Sequence, residues 1–394
     1  MTLTTRHPHR LSRRDCRLDD LVEMLRATTD PADVPHADRV EQGVPVYDAA
    51  AIPAASGSEA DERARAEYAA EIASVLADGA GIVVFTGAVD PAVIDPVSAA
   101  FERIIAEEKA SGTAAGDHFA RPGANDRMWN ALEKLAVTDP EAFADYYAFD
   151  ALALAAGAWL GPGYQVTSQV NIVNPGGAGQ TVHRDYHLGF QSPDVSERFP
   201  RHVHLFSGQL TLQGAVAHVD MPLESGPTLY LPHSQKYELG YLAYWLPEFQ
   251  EYFQANHVQL PLAKGDAVFF NPALMHAAGT NVSSDVRRTA NLLQVSSAFG
   301  RAMESVDRRR VVEAVYPALL DRAESGTPRD KLVNVVAASA EGYAFPTNLD
   351  RDQPIDGMSP STQADLVLDA LDRRVAVDDL ARTLAELDER HRTH

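Results

Sequence analysis

Cysteine is almost absent: Cys16 stands alone among 394 residues. Neither an internal disulfide nor a cysteine-built zinc or iron–sulfur site can form from one thiol, which suits a reducing compartment, and a cytoplasmic protein is expected. Long apolar runs are missing too, since nowhere does the chain offer the ~18 consecutive apolar residues of a membrane-spanning helix. The Arg-rich opening, with Arg13 and Arg14, leads into DDLVEMLR rather than an apolar run, which argues against an export signal. Positive charge is short: 34 Lys and Arg face 55 Asp and Glu, a net charge of −21. Such a field repels phosphate backbones and anionic lipid, so neither nucleic acid nor membrane is expected as a partner.

What is present divides the chain into three parts. Residues 1–57 are polar, hold one short amphipathic stretch at Leu21, Met24 and Leu25, and read as a partly irregular N-terminal arm. From residue 58 the pattern becomes helical, with Tyr68, Ile72, Val75 and Leu76 at helical spacing before Gly79 and Gly81 stop it and IVVFTG follows as a strand. Helical patterns continue to about residue 160. Between 164 and 300 short β-branched and aromatic runs alternate with Gly, Pro, Asn and Asp clusters, as in YQVTSQVNIVN, TVHRDYH, HVHLFSGQLTLQGAVAHVD, DAVFF and RRTANLLQVSSAF; this indicates an antiparallel sandwich or barrel. Residues 301–394 return to helix, with Val311, Val312, Val315 and Leu319 on one face and Leu380, Leu384 and Leu387 on another. The expected fold is an all-β core with helical flanks.

Two side chains two positions apart on a strand share a face, so His-x-Asp can present two ligands to one ion. The triplet occurs at His36/Asp38, His183/Asp185 and His218/Asp220, and context must choose. His36 lies in the polar arm and reads as a solvated loop residue. His218 and Asp220 close a strand before the turn MPLESGP, where the aspartate suits turn anchoring. His183 follows the Gly-rich bend NPGGAGQ and opens VHRDYHLGF, which makes it the best ligand candidate. A facial iron site needs a second histidine from elsewhere, and His276, after the apolar run KGDAVFFNPALM, fits. A dicarboxylate cosubstrate would need a basic partner within the pocket. Arg287 and Arg288 supply one, and strand alternation sends only one of them inward.

The segments HRDYH, DMPLESGPTLYLPHSQK, KGDAVFFNPALMHAAGTN and VRRTANLLQ resemble the phytanoyl-CoA dioxygenase family of iron(II)- and 2-oxoglutarate-dependent oxygenases over about residues 164–300. The resemblance implies a double-stranded β-helix (a cupin-like jelly-roll barrel) with N- and C-terminal α-helices, forming an oxygenase domain over 58–300. It implies that His183, Asp185 and His276 bind Fe(II), that Arg287 binds the far carboxylate of 2-oxoglutarate with Arg288 as the fallback, and that O2 is the oxidant. Members often have a hydroxyl residue two positions after the distal histidine; here it is Ala278, and Gln169 or Asn171 is the expected substitute for that polar contact. Many members carry Gly-Ser-His where this chain reads Pro232, His233, Ser234 and Gln235. The expected reaction is hydroxylation of an unactivated C–H bond of a small or medium organic metabolite. Related halogenases have a small residue where this chain has Asp185, so the resemblance implies hydroxylation, or another oxidation such as desaturation, over halogenation.

Two rivals remain at this level. One is a jelly-roll module that holds a metal but only binds, against which the arginine speaks. The other is a zinc hydrolase, weakened by the lack of a helical HExxH with its general base. Tyr186, His187 and Phe190 are candidates for the substrate mouth, with packing as the equal alternative. His202, His204 and His257 are expected to do no chemistry, and the GGAG at 176–179 reads as a turn because no GKS or GKT follows.

Overall fold

A computed structural model describes residues 9–55, 57–112, 125–355 and 357–393. Eleven strands occur among them: β1 (Arg39–Glu41), β2 (Val44–Asp48), β3 (Ile82–Thr86), β4 (Asn125–Met128), β5 (Gln165–Val173), β6 (Thr211–Ala217), β7 (Leu229–Tyr230), β8 (Val258–Gln259), β9 (Ala267–Phe270), β10 (His276–Ala277) and β11 (Arg288–Ser296). They form an eight-stranded sheet, in the order β1-β2-β3-β9-β6-β11-β5-β4, and a three-stranded sheet, β10-β7-β8. The jelly-roll core is therefore two sheets with a cavity between them rather than one continuously hydrogen-bonded barrel.

Register decides what each sheet shows to the cavity. In the large sheet Arg288 pairs with Val173, Ala290 with Asn171, Leu292 with Gln169, and Gln294 with both Thr167 and Gln213. Directly paired residues share a face, so these rows form the cavity wall. The alternate residues Val166, Val170, Ile172, Leu212, Val216, Leu293 and Val295 point the other way. They join one buried core with helical residues that include Leu132, Leu135, Val311, Val315 and Leu319.

The helices follow their sequence signals. In the arm, α1 spans Leu18–Met24. The next long helix, α2 (Glu59–Ala77), starts at Ser58, whose hydroxyl accepts the Asp61 N–H, and buries Tyr68, Ile72, Val75 and Leu76. Helix α3 (Pro91–Ser111) is capped by Asp90, has proline in its first turn and ends at Gly112 with φ +73°. The C-terminal stripes Val311, Val312, Val315, Leu319, Leu380, Leu384 and Leu387 are all buried. No helix among the described residues is long and apolar enough to cross a membrane.

Three local expectations differ. The arm is more ordered than its composition suggests: β1 and β2 extend the large sheet, β2 running parallel to β3. The stretch HVHLF is a helix, Arg201–Ser207, rather than a strand; Pro200 precedes it at the N-cap, where its fixed φ suits the start of a helix. And TVHRDYH contributes only an isolated bridge, His183 to His276, before the chain turns at Tyr186 and His187 with φ of +62° and +46°.

Candidate metal centre

That isolated bridge brings two of the candidate ligands together. The His183 N–H donates to the His276 carbonyl at 2.9 Å and the His276 N–H returns to His183 at 3.1 Å. Residues exchanging both bonds are a directly opposed antiparallel pair with side chains on one face, and the ring centroids lie 4.4 Å apart. Asp185, two residues along, falls on the same side. Nε2 of His183 is 3.7 Å and Nε2 of His276 is 3.4 Å from its carboxylate oxygens. One ligand atom from each of the three lies within 4.8 Å of the others.

The imidazoles are set for Nε2 ligation. Nδ1 of His183 lies 2.9 Å from the Thr181 carbonyl and Nδ1 of His276 lies 2.9 Å from the Leu274 carbonyl. A carbonyl only accepts, so each Nδ1 carries the proton and each Nε2 offers its lone pair. His276 Nε2 is buried without a hydrogen-bond partner, a cost that a metal ion at this point removes. Burial, then the neighbouring His276, lowers the His183 pKa and favours the neutral ring. Burial alone would raise the Asp185 carboxyl, but the two imidazoles and Gln213 outweigh it and hold it below the usual carboxylate range. Gln213 Nε2 donates to Asp185 Oδ2 at 2.5 Å. A donor set of two neutral imidazoles and one carboxylate fits Fe(II).

The triad opens on a cavity of about 640 Å³ between the two sheets, lined by Arg288, Gln169, Asn171, Trp129, Phe190 and Trp245 among others. Arg287 is not in it. Its side chain is 53% exposed, lies 3.6 Å from Glu102 and donates to Asn174 at 3.4 Å. The expectation that Arg287 faces the pocket is therefore corrected to Arg288: β11 begins at Arg288, opposite Val173, and this parity turns even-numbered residues inward. Arg288 is 7% exposed and its Nη1 donates to the carbonyls of Ser225 and Gly279 at 3.1 and 3.0 Å. Burial pushes its pKa down to about 10, with Tyr230 opposing the shift, so it stays a cation at neutral pH. Among the described residues no carboxylate pairs with it.

Gln169 and Asn171 both line the cavity. The Gln169 amide accepts from Arg127 and donates to Gln294, each at 3.2 Å, whereas Asn171 Oδ1 is buried without a partner. Phe190 lines the cavity, but Tyr186 and His187 do not. His218 is elsewhere, fully buried between Ser98 Oγ at 2.8 Å and Tyr146 OH at 3.0 Å, and burial pushes its pKa down to about 3. Asp220 accepts the Lys264 N–H at 2.9 Å, a turn-anchoring role. His36 is not a free loop residue; it stacks on Tyr68 at 4.3 Å. Sequence reasoning missed Gln213 and Arg184. Gln213 shows itself only through cross-strand register, while Arg184 stands in plain view between two candidate ligands and is almost wholly buried at 2% exposure.

Solved structures with partial similarity include the carbocyclase SnoK from nogalamycin biosynthesis, described as non-heme and alpha-ketoglutarate-dependent, at 18% identity over 55% of this chain and 80% of that one, with a TM-score of 0.40. The epimerase SnoN, in complex with Fe3+, alpha-ketoglutarate and nogalamycin RO, matches at 20% identity over 60% and 85%, TM-score 0.39. AviO1 from Streptomyces viridochromogenes Tue57 matches at 22% over 59% and 96%, TM-score 0.41. None of the curated proteins compared matches the chain. The profile described as phytanoyl-CoA dioxygenase (PhyH) matches residues 77–289, a span that begins at the end of α2, takes in the triad and most of the cavity lining, and ends just past Arg288, before the rest of β11. More than half of the sequence is thus accounted for by one profile, and the chain belongs to the phytanoyl-CoA dioxygenase family of iron(II)- and 2-oxoglutarate-dependent oxygenases.

Proposed function

We propose that this oxygenase hydroxylates an unactivated C–H bond of a small or medium organic metabolite, with His183, Asp185 and His276 holding the iron and Arg288 holding the far carboxylate of 2-oxoglutarate. Bound iron supplies coupled oxidation: 2-oxoglutarate, O2 and R–H become succinate, CO2 and R–OH. The protein's own groups orient and exclude. The Nδ1 bonds to Thr181 and Leu274 fix the two rings, and Gln213 fixes the rotation of the Asp185 carboxylate. Asn171 Oδ1, orphaned against the cavity, and Gln169 offer polar contacts to what sits between wall and metal. Trp129, Phe190 and Trp245 give the cavity an aromatic lining that suits an organic substrate with a substantial apolar part.

The observation that carries this reading is a buried cation without a carboxylate partner in the same cavity as a His-Asp-His cluster. A charge held there at 7% exposure is costly unless paired, and a bound dicarboxylate pairs it. Asp185 also fills the position that a halogenase leaves for halide, which favours oxygen insertion over halogenation. The test is anaerobic addition of Fe(II) and then 2-oxoglutarate, expected to give a weak visible charge-transfer band, followed by a metabolite screen for succinate formation coupled to O2 uptake. A folded protein that gives no band, or that turns over equally well with zinc and without oxygen, overturns the proposal in favour of a binding module or a hydrolase.

A further inference from the structure

The N-terminal arm lies outside the span matched by the family, yet its helix α1 shares a buried cluster with residues that flank the candidate ligands. Leu21 of α1 is 0% exposed, and it shares a separate buried cluster with Val182, Leu231, Tyr237, Phe249, Met275 and Ala277. Leu18, Met24, Leu25 and Cys16 pack on the edge of the same cluster. Val182 precedes His183, while Met275 and Ala277 flank His276. Neighbours along an extended chain point to opposite faces, so the arm covers the back of the segments whose fronts carry the imidazoles.

Polar ties run the same way. The Arg17 N–H donates to the Tyr237 hydroxyl at 2.9 Å, and that hydroxyl lies 3.1 Å from the Arg17 carbonyl. The Tyr237 carbonyl accepts Arg184 Nη2 at 3.1 Å, and the Ser234 carbonyl accepts the same nitrogen. Arg184 sits between His183 and Asp185. The Ser234 hydroxyl in turn accepts the Met275 N–H at 2.8 Å, next to His276. Arg184 fills its place so completely that a Cβ on Gly240 would lie 1.7 Å from its Cζ. Further out, Arg13 ion-pairs with Asp194 and Glu197, tying the arm to the short helix Pro193–Ser196 and its C-cap, which follow the candidate-ligand segment.

We propose that the arm is a positioning element for the metal centre: α1 and the Arg17–Tyr237–Arg184 chain hold the His183–Asp185 and His276 segments in register and so set the affinity for iron. The physical need is plain. The ligands stand on a two-residue strand and an isolated bridge, which have few ladder hydrogen bonds of their own, and groups that hold metal ligands from behind commonly govern metal affinity. This inference rests on the iron-site reading above.

The test uses the full chain and two variants, Leu21→Ala and Tyr237→Phe, with Leu384→Ala in the C-terminal helix as an equally buried control. The readouts are the Fe(II) dissociation constant by anaerobic titration and thermal unfolding of the metal-free protein. Leu21→Ala is expected to weaken iron roughly 10-fold and Tyr237→Phe about 3-fold. Leu384→Ala should lower the melting temperature and leave iron affinity within about 2-fold of the parent. Unchanged iron affinity in both site-side variants, or equal weakening in the control, overturns the proposal and reduces the arm to ordinary packing. Should Leu21→Ala fail to fold, Tyr237→Phe decides, because it keeps the ring and removes only the hydroxyl. A parent protein that takes up no iron is a different result: it sinks the iron-site reading itself.

Discussion

The two walls of the cavity are built on opposite plans. The wall of the large sheet rests on long strands, with β5 and β11 each nine residues and paired along their whole length, and its inward groups are set by register. The facing wall is made of two-residue strands and a bridge, and its groups are set by side-chain bonds to loops and by the arm packed behind. A ladder fixes a row of side chains without help from outside. An isolated bridge fixes a pair only if something holds the flanks. Arg288 stands on the self-supporting wall and the three candidate ligands on the supported one.

This contrast can be broken at several points. The largest effect is expected from His276→Ala or Asp185→Ala on the supported wall, which should abolish iron binding in anaerobic titration while the circular dichroism of the metal-free protein stays that of the parent. On the other wall, Arg288→Leu should raise the KM for 2-oxoglutarate about 10- to 100-fold, the loss expected for a charge-assisted hydrogen bond of ~1.5–3 kcal/mol, with Arg287→Leu within about 2-fold in the same succinate assay. An equal loss in both variants would remove the parity argument. Leu293→Ala, behind the large sheet and 0% exposed, should cost ~2–5 kcal/mol in denaturant unfolding yet leave the iron dissociation constant near that of the parent, because the ladder keeps its register.

The smallest effect is on pH dependence. His218 is buried neutral, with its pKa pushed down to about 3 by burial and then Lys264. Between about pH 6.5 and 3 the unfolded chain therefore binds a proton at this site that the native protein does not, so stability falls as pH falls through that window. His218→Gln should flatten the slope of unfolding free energy against pH there, whatever it does to the absolute value.

The contrast also explains what could be read from the sequence. Strand alternation and the His-x-Asp spacing are local, so β5, β6, β9 and β11 and the pair His183 and Asp185 were legible. His276 stood out by its place after an apolar run. The inward arginine was not legible, because parity depends on where β11 begins to pair with β5, and nothing in RRTANLLQV says whether Arg287 or Arg288 opens the ladder. The arm hid its role for a related reason. Of the α1 residues only Leu21 is buried, and Val182, Met275 and Ala277 of its cluster lie far along the chain. Gln213 belongs to the same class: its meaning is a 2.5 Å bond to Asp185 that no local pattern announces.

The left-handed backbone at Tyr186 and His187 carries one more consequence. Such conformations are unfavourable for residues other than glycine, and here they end the ligand segment abruptly, one residue after Asp185. The stretch that follows bears Phe190 and leads away over the rim. Replacing Phe190, which is 52% exposed, would therefore change which molecules are admitted while His183, Asp185 and His276 keep their places.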